Sequence, residues 1–167
     1  AEAGVREIEV GSFVPPKLLP QMADTADIVR YAKSLPNLTV AALVPNFMGA
    51  KNAIDAGVDK MCLPLSVSET HSKANLKKNH DEVLREIKHI ADYIKTLNEN
   101  ERPEFEGNLS TAFGCTIEGK VSEKDVISLG AKMMELGCDE VGLSDTTGYA
   151  NPAQIKRLIR LLKHEVG

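Results

Sequence analysis

Glu140-Val141-Gly142-Leu143-Ser144-Asp145-Thr146-Thr147-Gly148-Tyr149-Ala150-Asn151-Pro152 reads as a strand, a polar loop and the start of a helix. The apolar run Val141-Gly142-Leu143 stops abruptly at Ser144. Asn151 is an N-cap, and Pro152 suits a first helical turn, where no backbone N–H is needed. In an α/β protein, the loop leaving the carboxyl end of a parallel strand is where ligands sit. Asp145 is therefore a candidate catalytic carboxylate.

The same pattern recurs along the chain. Alternation predicts a strand over residues 5–10, a loop from Gly11 to Pro16 and a helix over 22–33. A second strand over 38–44 leads through Pro45-Asn46 into a helix over 48–56, closed by Gly57. A third strand over 60–65 precedes Ser66-Val67-Ser68-Glu69-Thr70-His71 and one long helix over 75–98, with Val83, Ile87, Ile90 and Ile94 at near-helical spacing. A fourth strand over 105–112 precedes a loop carrying Cys115. The next helix starts near Ser122 and Asp125 and ends at Gly137. The last helix covers 152–164. These are five βα units without a linker, read as one α/β domain over 1–167. A doubly wound open sheet and part of a (β/α)8 barrel both fit.

Composition narrows the function classes. A chain that is 43% hydrophobic and 26% charged is globular. A net charge of -4, 4% aromatic residues and no Trp argue against a nucleic-acid partner. No apolar run is long enough to span a membrane. The three cysteines, Cys62, Cys115 and Cys138, have no metal-type spacing and point to a reducing compartment, such as a bacterial cytoplasm or the mitochondrial matrix. Ala1-Glu2-Ala3-Gly4 is neither a signal nor a transit peptide and reads as the end of a preceding element.

The polar residues after each strand are the candidate site. They are Glu9 and Ser12; Asn46; Ser66, Ser68, Glu69 and His71; Ser110, Thr111 and Cys115; and Ser144, Asp145, Thr146 and Thr147. Parallel strands would gather them on one rim. Glu9 reads as inward-pointing, and a buried carboxylate needs a partner from another strand. Cys62 and Cys138 read as core residues, and Cys115 has no neighbouring His to make a thiolate pair. No Walker loop or dinucleotide fingerprint is present.

Ile8-Glu9-Val10-Gly11-Ser12-Phe13-Val14-Pro15-Pro16-Lys17 with Pro20-Gln21-Met22-Ala23-Asp24 resembles the second strand and loop of the hydroxymethylglutaryl-CoA lyases. Ala42-Leu43-Val44-Pro45-Asn46, Ser68-Glu69-Thr70-His71 with Asn75, Phe113-Gly114-Cys115 and Ser144-Asp145-Thr146-Thr147-Gly148 match the same family in the same order. The resemblance implies strands 2 to 6 of a TIM barrel. It implies retro-Claisen cleavage of 3-hydroxy-3-methylglutaryl-CoA to acetyl-CoA and acetoacetate, with Mg2+ or Mn2+, in a homo-oligomer. The family's Arg-Asp pair, His-x-His pair, late Asn and loop Cys do not occur here. The metal ligands are therefore expected elsewhere in a parent enzyme, and this chain alone is expected to be inactive. By resemblance, Glu9 orients the missing arginine and Ser12 lines the acyl pocket. Asn46, Ser68 and Glu69 face the substrate, with Thr146 beside them, and Asp145 sits near the metal and the reacting hydroxyl. Asn108 stands where animal enzymes carry a tyrosine, which alters the acyl pocket. The alternatives are a related lyase or aldolase on another hydroxyacyl-CoA or hydroxy-keto acid, and a non-catalytic half-barrel binding module.

Overall fold

The computed structural model describes residues 3–166. Residues 1–2, read above as the end of a preceding element, lie outside them. The elements are β1 (Glu7–Ser12), α1 (Thr25–Lys33), β2 (Thr39–Leu43), α2 (Phe47–Ala56), β3 (Lys60–Ser66), α3 (Glu69–Leu76), α4 (His80–Thr96), β4 (Glu104–Ser110), α5 (Glu123–Leu136), β5 (Glu140–Leu143) and α6 (Pro152–Glu165). The strands form one parallel sheet in the order β1-β2-β3-β4-β5. A doubly wound sheet reverses direction at a switch point, whereas a (β/α)8 barrel adds each strand beside the last. Strand order that follows chain order therefore settles the alternative left open by periodicity: this is a partial TIM barrel.

The chain divides into two compact units, Ala1–Leu63 with His89–Glu106, and Pro64–Lys88 with Gly107–Gly167. In the first, Val29, Val40, Met61, Ile90 and Phe105 are fully buried. Phe47 stacks on His89 at 3.8 Å between ring centroids, which packs α2 against α4. In the second, Leu65, Ile87, Leu109, Met133 and Leu158 form the core. Every residue of β3 is buried, as a strand covered on both faces requires.

Several boundaries depart from the sequence reading. The first strand begins at Glu7 and takes in residues 11 and 12, and its pairing with β2 slips by one residue. Glu9 faces Ala41, but Ser12 faces Leu43, so β1 carries an extra residue between them. Gly11 lies in this bulge, where a Cβ would come within 2.8 Å of Thr25 Oγ1. The fourth strand ends at Ser110 because Thr111 is left-handed, with φ 56°. The long helix predicted over 75–98 is two helices. Lys77 turns left-handed and ends α3. Asn79 then starts α4 with a reciprocal cap. Its Oδ1 accepts from Glu82 N at 2.9 Å, and Glu82 Oε2 accepts from Asn79 N at 2.8 Å. Periodicity alone carried through this break because α4 continues the apolar spacing.

One buried charge organises the first unit. The Lys60 side chain is 4% exposed and lies 3.4 Å from Glu7 Oε1 and 3.2 Å from Glu106 Oε2. Three strands, β1, β3 and β4, are thus joined by one ammonium group. Lys60→Met removes the cation and leaves the Glu106 carboxylate in the interior without it, which should cost about 3 kcal/mol. Asn79→Ala should cost about 1 kcal/mol through the lost cap. Urea unfolding checks both: each midpoint falls with an unchanged slope, and the Lys60 variant falls further.

Candidate active site

The first unit holds a carboxylate and thiol group around β1 and β3. Cys62 Sγ donates to Glu106 Oε2 at 3.5 Å. Burial, then the nearby Glu106 and Glu9 carboxylates, push the Cys62 thiol far up, so it is a donor at neutral pH and not a thiolate. Glu9 keeps substantial solvent contact, which corrects the buried position read from its strand. Its carboxyl end is nevertheless crowded. Burial raises its pKa, a hydrogen bond from Cys62 lowers it, and Glu106 raises it again, with a net rise.

The other two candidates of this unit are anchored by their own loops. Ser12 Oγ accepts from Val14 N at 3.3 Å, and its carbonyl accepts from Thr25 Oγ1 at 3.1 Å. Asn46 caps α2, accepting from Gly49 N at 2.9 Å. A cleft of about 510 Å³ opens beside Asn46, walled by Phe13, Pro15, Met22 and Met48.

The second unit is built from hydroxyls. Ser68 is buried, caps α3 by accepting from His71 N at 3.1 Å, and receives the Cys115 thiol at 3.2 Å. Ser68 N donates to Thr111 Oγ1 at 3.2 Å, and Thr111 N donates to Thr146 Oγ1 at 2.8 Å. The loops after β3, β4 and β5 are thereby tied in series. Ser144 Oγ donates to Asn108 Oδ1 at 2.8 Å. Asp145 is exposed and braces its own loop, its carboxylate accepting from Tyr149 N at 2.9 Å and Ala150 N at 3.2 Å. Glu69 stands apart, in a surface ion pair with Lys73 at 3.3 Å.

Two further groups sit by α3. The Glu118 carboxylate accepts from Thr70 N at 2.7 Å. The Thr70 hydroxyl and amide hold its pKa down, with Ser68 and His80 adding to them. Burial pushes Cys115 up, but hydrogen bonds from Ser68 and from the loop backbone at Glu118 and Ile117 outweigh it, and the net shift is downward. Ser66 Oγ lies 2.7 Å from His71 Nδ1.

Sequence reasoning missed Lys60, Glu106 and the role of Cys62. The signal was present for Lys60, a charge at the head of the strongly apolar run Met61 to Leu65, where it needs a partner; for Glu106, in a strand that also carries Glu104, Asn108 and Ser110, it was weak. Among the described residues no three or more His, Cys, Asp or Glu side chains are grouped to hold a metal ion. The described residues therefore do not themselves fit the divalent-cation site that the resemblance implies. Among them, no helix is long and apolar enough to cross a membrane.

The HMGL-like family model matches residues 1–167. Hydroxymethylglutaryl-CoA lyase YngG of Bacillus subtilis is 36% identical over 162 residues, covering 97% of this chain and 53% of that protein. The mitochondrial hydroxymethylglutaryl-CoA lyase of Mus musculus is 32% identical over 166 residues, covering 99% of this chain and 50% of its own length. The structure of an HMG-CoA lyase from A. baumannii, in complex with coenzyme A and 3-methylmalate, superposes with a TM-score of 0.86 at 34% identity. It covers 95% of this chain and 51% of that one. The chain spans about half the length of the curated relatives it matches. A parallel sheet in chain order and a match over the whole sequence lead to one conclusion: this chain belongs to the HMGL-like family, among relatives that are carbon-carbon lyases.

Proposed function

We propose that the protein containing this chain is a hydroxymethylglutaryl-CoA lyase, with Mg2+ or Mn2+ as its cofactor and an acyl-CoA as its substrate. The observation that carries the reading is the hydrogen-bonded series Ser68, Thr111, Thr146 beside Asp145, because it fixes loops that follow successive parallel strands. Ligands of β/α barrels sit on such loops. In the reaction, the 3-hydroxyl of 3-hydroxy-3-methylglutaryl-CoA loses its proton to a base and becomes the ketone of acetoacetate. The C–C bond breaks, and its electron pair passes to the thioester as an enolate. A proton returned to that carbon gives acetyl-CoA.

This chain supplies positioning and proton-handling groups for that chemistry. Asp145, braced by two backbone amides, accepts the hydrogen bond of the 3-hydroxyl. Glu9 orients a cationic partner. Its carboxyl is held by Cys62, and crowding by Glu106 makes a cation beside it favourable. Within the second unit, Ser68, Thr146 and Asn108 border the acyl group, with Glu69 as the outermost member. Ser12 and Asn46 are substrate-binding candidates of the first unit, each fixed by its own loop. The divalent cation would stabilise the developing enolate charge, and its ligands are not among the described residues.

A second reading has its own observation. Asn108 and Ser144 form a polar pair 2.8 Å apart, at a position the lyase resemblance assigns to an aromatic wall. A polar wall favours a hydroxyacyl-CoA with a more polar substituent than methyl. Turnover of a panel of 3-hydroxyacyl-CoA thioesters by the full-length protein, with Mg2+, separates the two. Cleavage of none of them defeats both readings.

Two outcomes test the named residues. Asp145→Asn should lower kcat at least 100-fold with little change in KM. For Glu9, the sign follows from its raised pKa: ionisation in the folded state is disfavoured, so stability falls as pH rises from the ordinary carboxylate range through the raised value. Glu9→Gln lacks that penalty. It should gain in Tm relative to the unsubstituted protein between acid and neutral pH, while losing activity. A constant Tm difference across that range would remove the electrostatic argument.

A further inference from the structure

We propose that His71 is a positioning residue that presents a neutral N–H to a carbonyl or carboxylate oxygen of the substrate's acyl part, with its tautomer set by Ser66. The proposal rests on the acyl-CoA reading above and adds a residue and a ligand atom type to it. Ser66 ends β3 and is 1% exposed. Its hydroxyl lies 2.7 Å from His71 Nδ1, and no other partner of that hydroxyl is found among the described residues. If Nδ1 carried the proton, the buried Ser66 hydroxyl would have no acceptor for its own proton, and an unmatched buried donor is costly. The hydroxyl therefore donates to Nδ1, which makes Nδ1 the acceptor and leaves the proton on Nε2.

The surroundings fix the ring and leave that proton uncommitted. His71 N is held by Ser68 Oγ at 3.1 Å, and the Ser66 carbonyl accepts from His80 Nε2 at 2.8 Å. His80 is thus spent on the backbone. His71 is half-buried, and its Nε2 has no protein partner among the described residues. The start of α3 does not offer a second anion site, because Thr70 N already holds the Glu118 carboxylate at 2.7 Å. A phosphate would meet that negative charge, whereas one neutral N–H suits a single sp2 oxygen. The N-terminus of α3, which bears His71, is joined through its cap Ser68 and through Thr111 and Thr146 to the loop of Asp145. This assigns the oxygen to the acyl end of the thioester.

The test uses the full-length protein. In 15N spectra of labelled histidine, assigned with His71→Gln, His71 should show the Nε2–H tautomer. Calorimetric Kd values are then compared for His71→Gln, which keeps an N–H near the Nε2 position, and His71→Phe, which keeps only the ring. For 3-hydroxy-3-methylglutaryl-CoA, His71→Phe should bind about ten-fold more weakly and His71→Gln within about three-fold of the unsubstituted protein, the worth of one hydrogen bond. Acetyl-CoA, which has the thioester carbonyl but no carboxylate, separates the two oxygens. A loss with both ligands places the donor on the carbonyl, and a loss with the dicarboxylic thioester alone places it on the carboxylate. An Nδ1–H tautomer, equal losses in the two variants, or no binding to either ligand overturns the proposal. Lyase turnover is read separately, so a protein that binds but does not cleave defeats the proposed reaction and leaves His71 to be judged on Kd.

Discussion

A lysine ammonium group taken out of water sets the terms for the first half of this fold. Lys60 opens a strand in which every residue is buried, and desolvating its charge costs several kcal/mol unless carboxylates surround it. Glu7 and Glu106 meet that need from β1 and β4. Burial chiefly keeps the Cys62 thiol protonated and disfavours ionisation of Glu9, and the negative charge of Glu106, once held there, adds to both. A packing requirement at the foot of the sheet thus becomes an electrostatic property of a residue proposed to act on a ligand's partner.

The second unit solves its positioning problem without buried charge. Hydroxyls and backbone amides of Ser68, Thr111 and Thr146 connect three loops, and each bond is short-range and neutral. Such a network is insensitive to salt, in contrast with surface ion pairs. Asp145 is braced by amides of its own loop, so its carboxylate has a fixed direction while staying open to solvent. Rigid, solvent-facing carboxylates suit proton handling, because little reorganisation is needed when a substrate arrives.

Much of this was legible in the residues themselves. Asn46, Ser68 and Asn151 were marked as loop or cap residues by type and position, and each accepts a bond from a helix N-terminal amide. Gly57 and Gly137 close α2 and α5 in left-handed geometry, as their placement after apolar periods suggested. What stayed hidden was non-local. The partners of Lys60 lie on strands 53 and 46 residues away. The series linking Ser68 to Thr146 depends on strand adjacency, which periodicity cannot give. The break at Lys77 was masked because apolar spacing runs on past it, and only the Asn79 and Glu82 pair marks the new start. Strand order, too, is a tertiary fact, and it decided between the two architectures.

The extra residue in β1 sets which residues share a face with Glu9. Side chains alternate across a strand, so one added residue reverses the phase of everything beyond it. Ser12 therefore faces as it does because of an insertion upstream of it, and Gly11 gives that insertion room beside Thr25. Loss of one residue between Glu9 and Ser12 would restore regular pairing with β2, leave the serine opposite Leu43, and remove the local twist that the bulge adds.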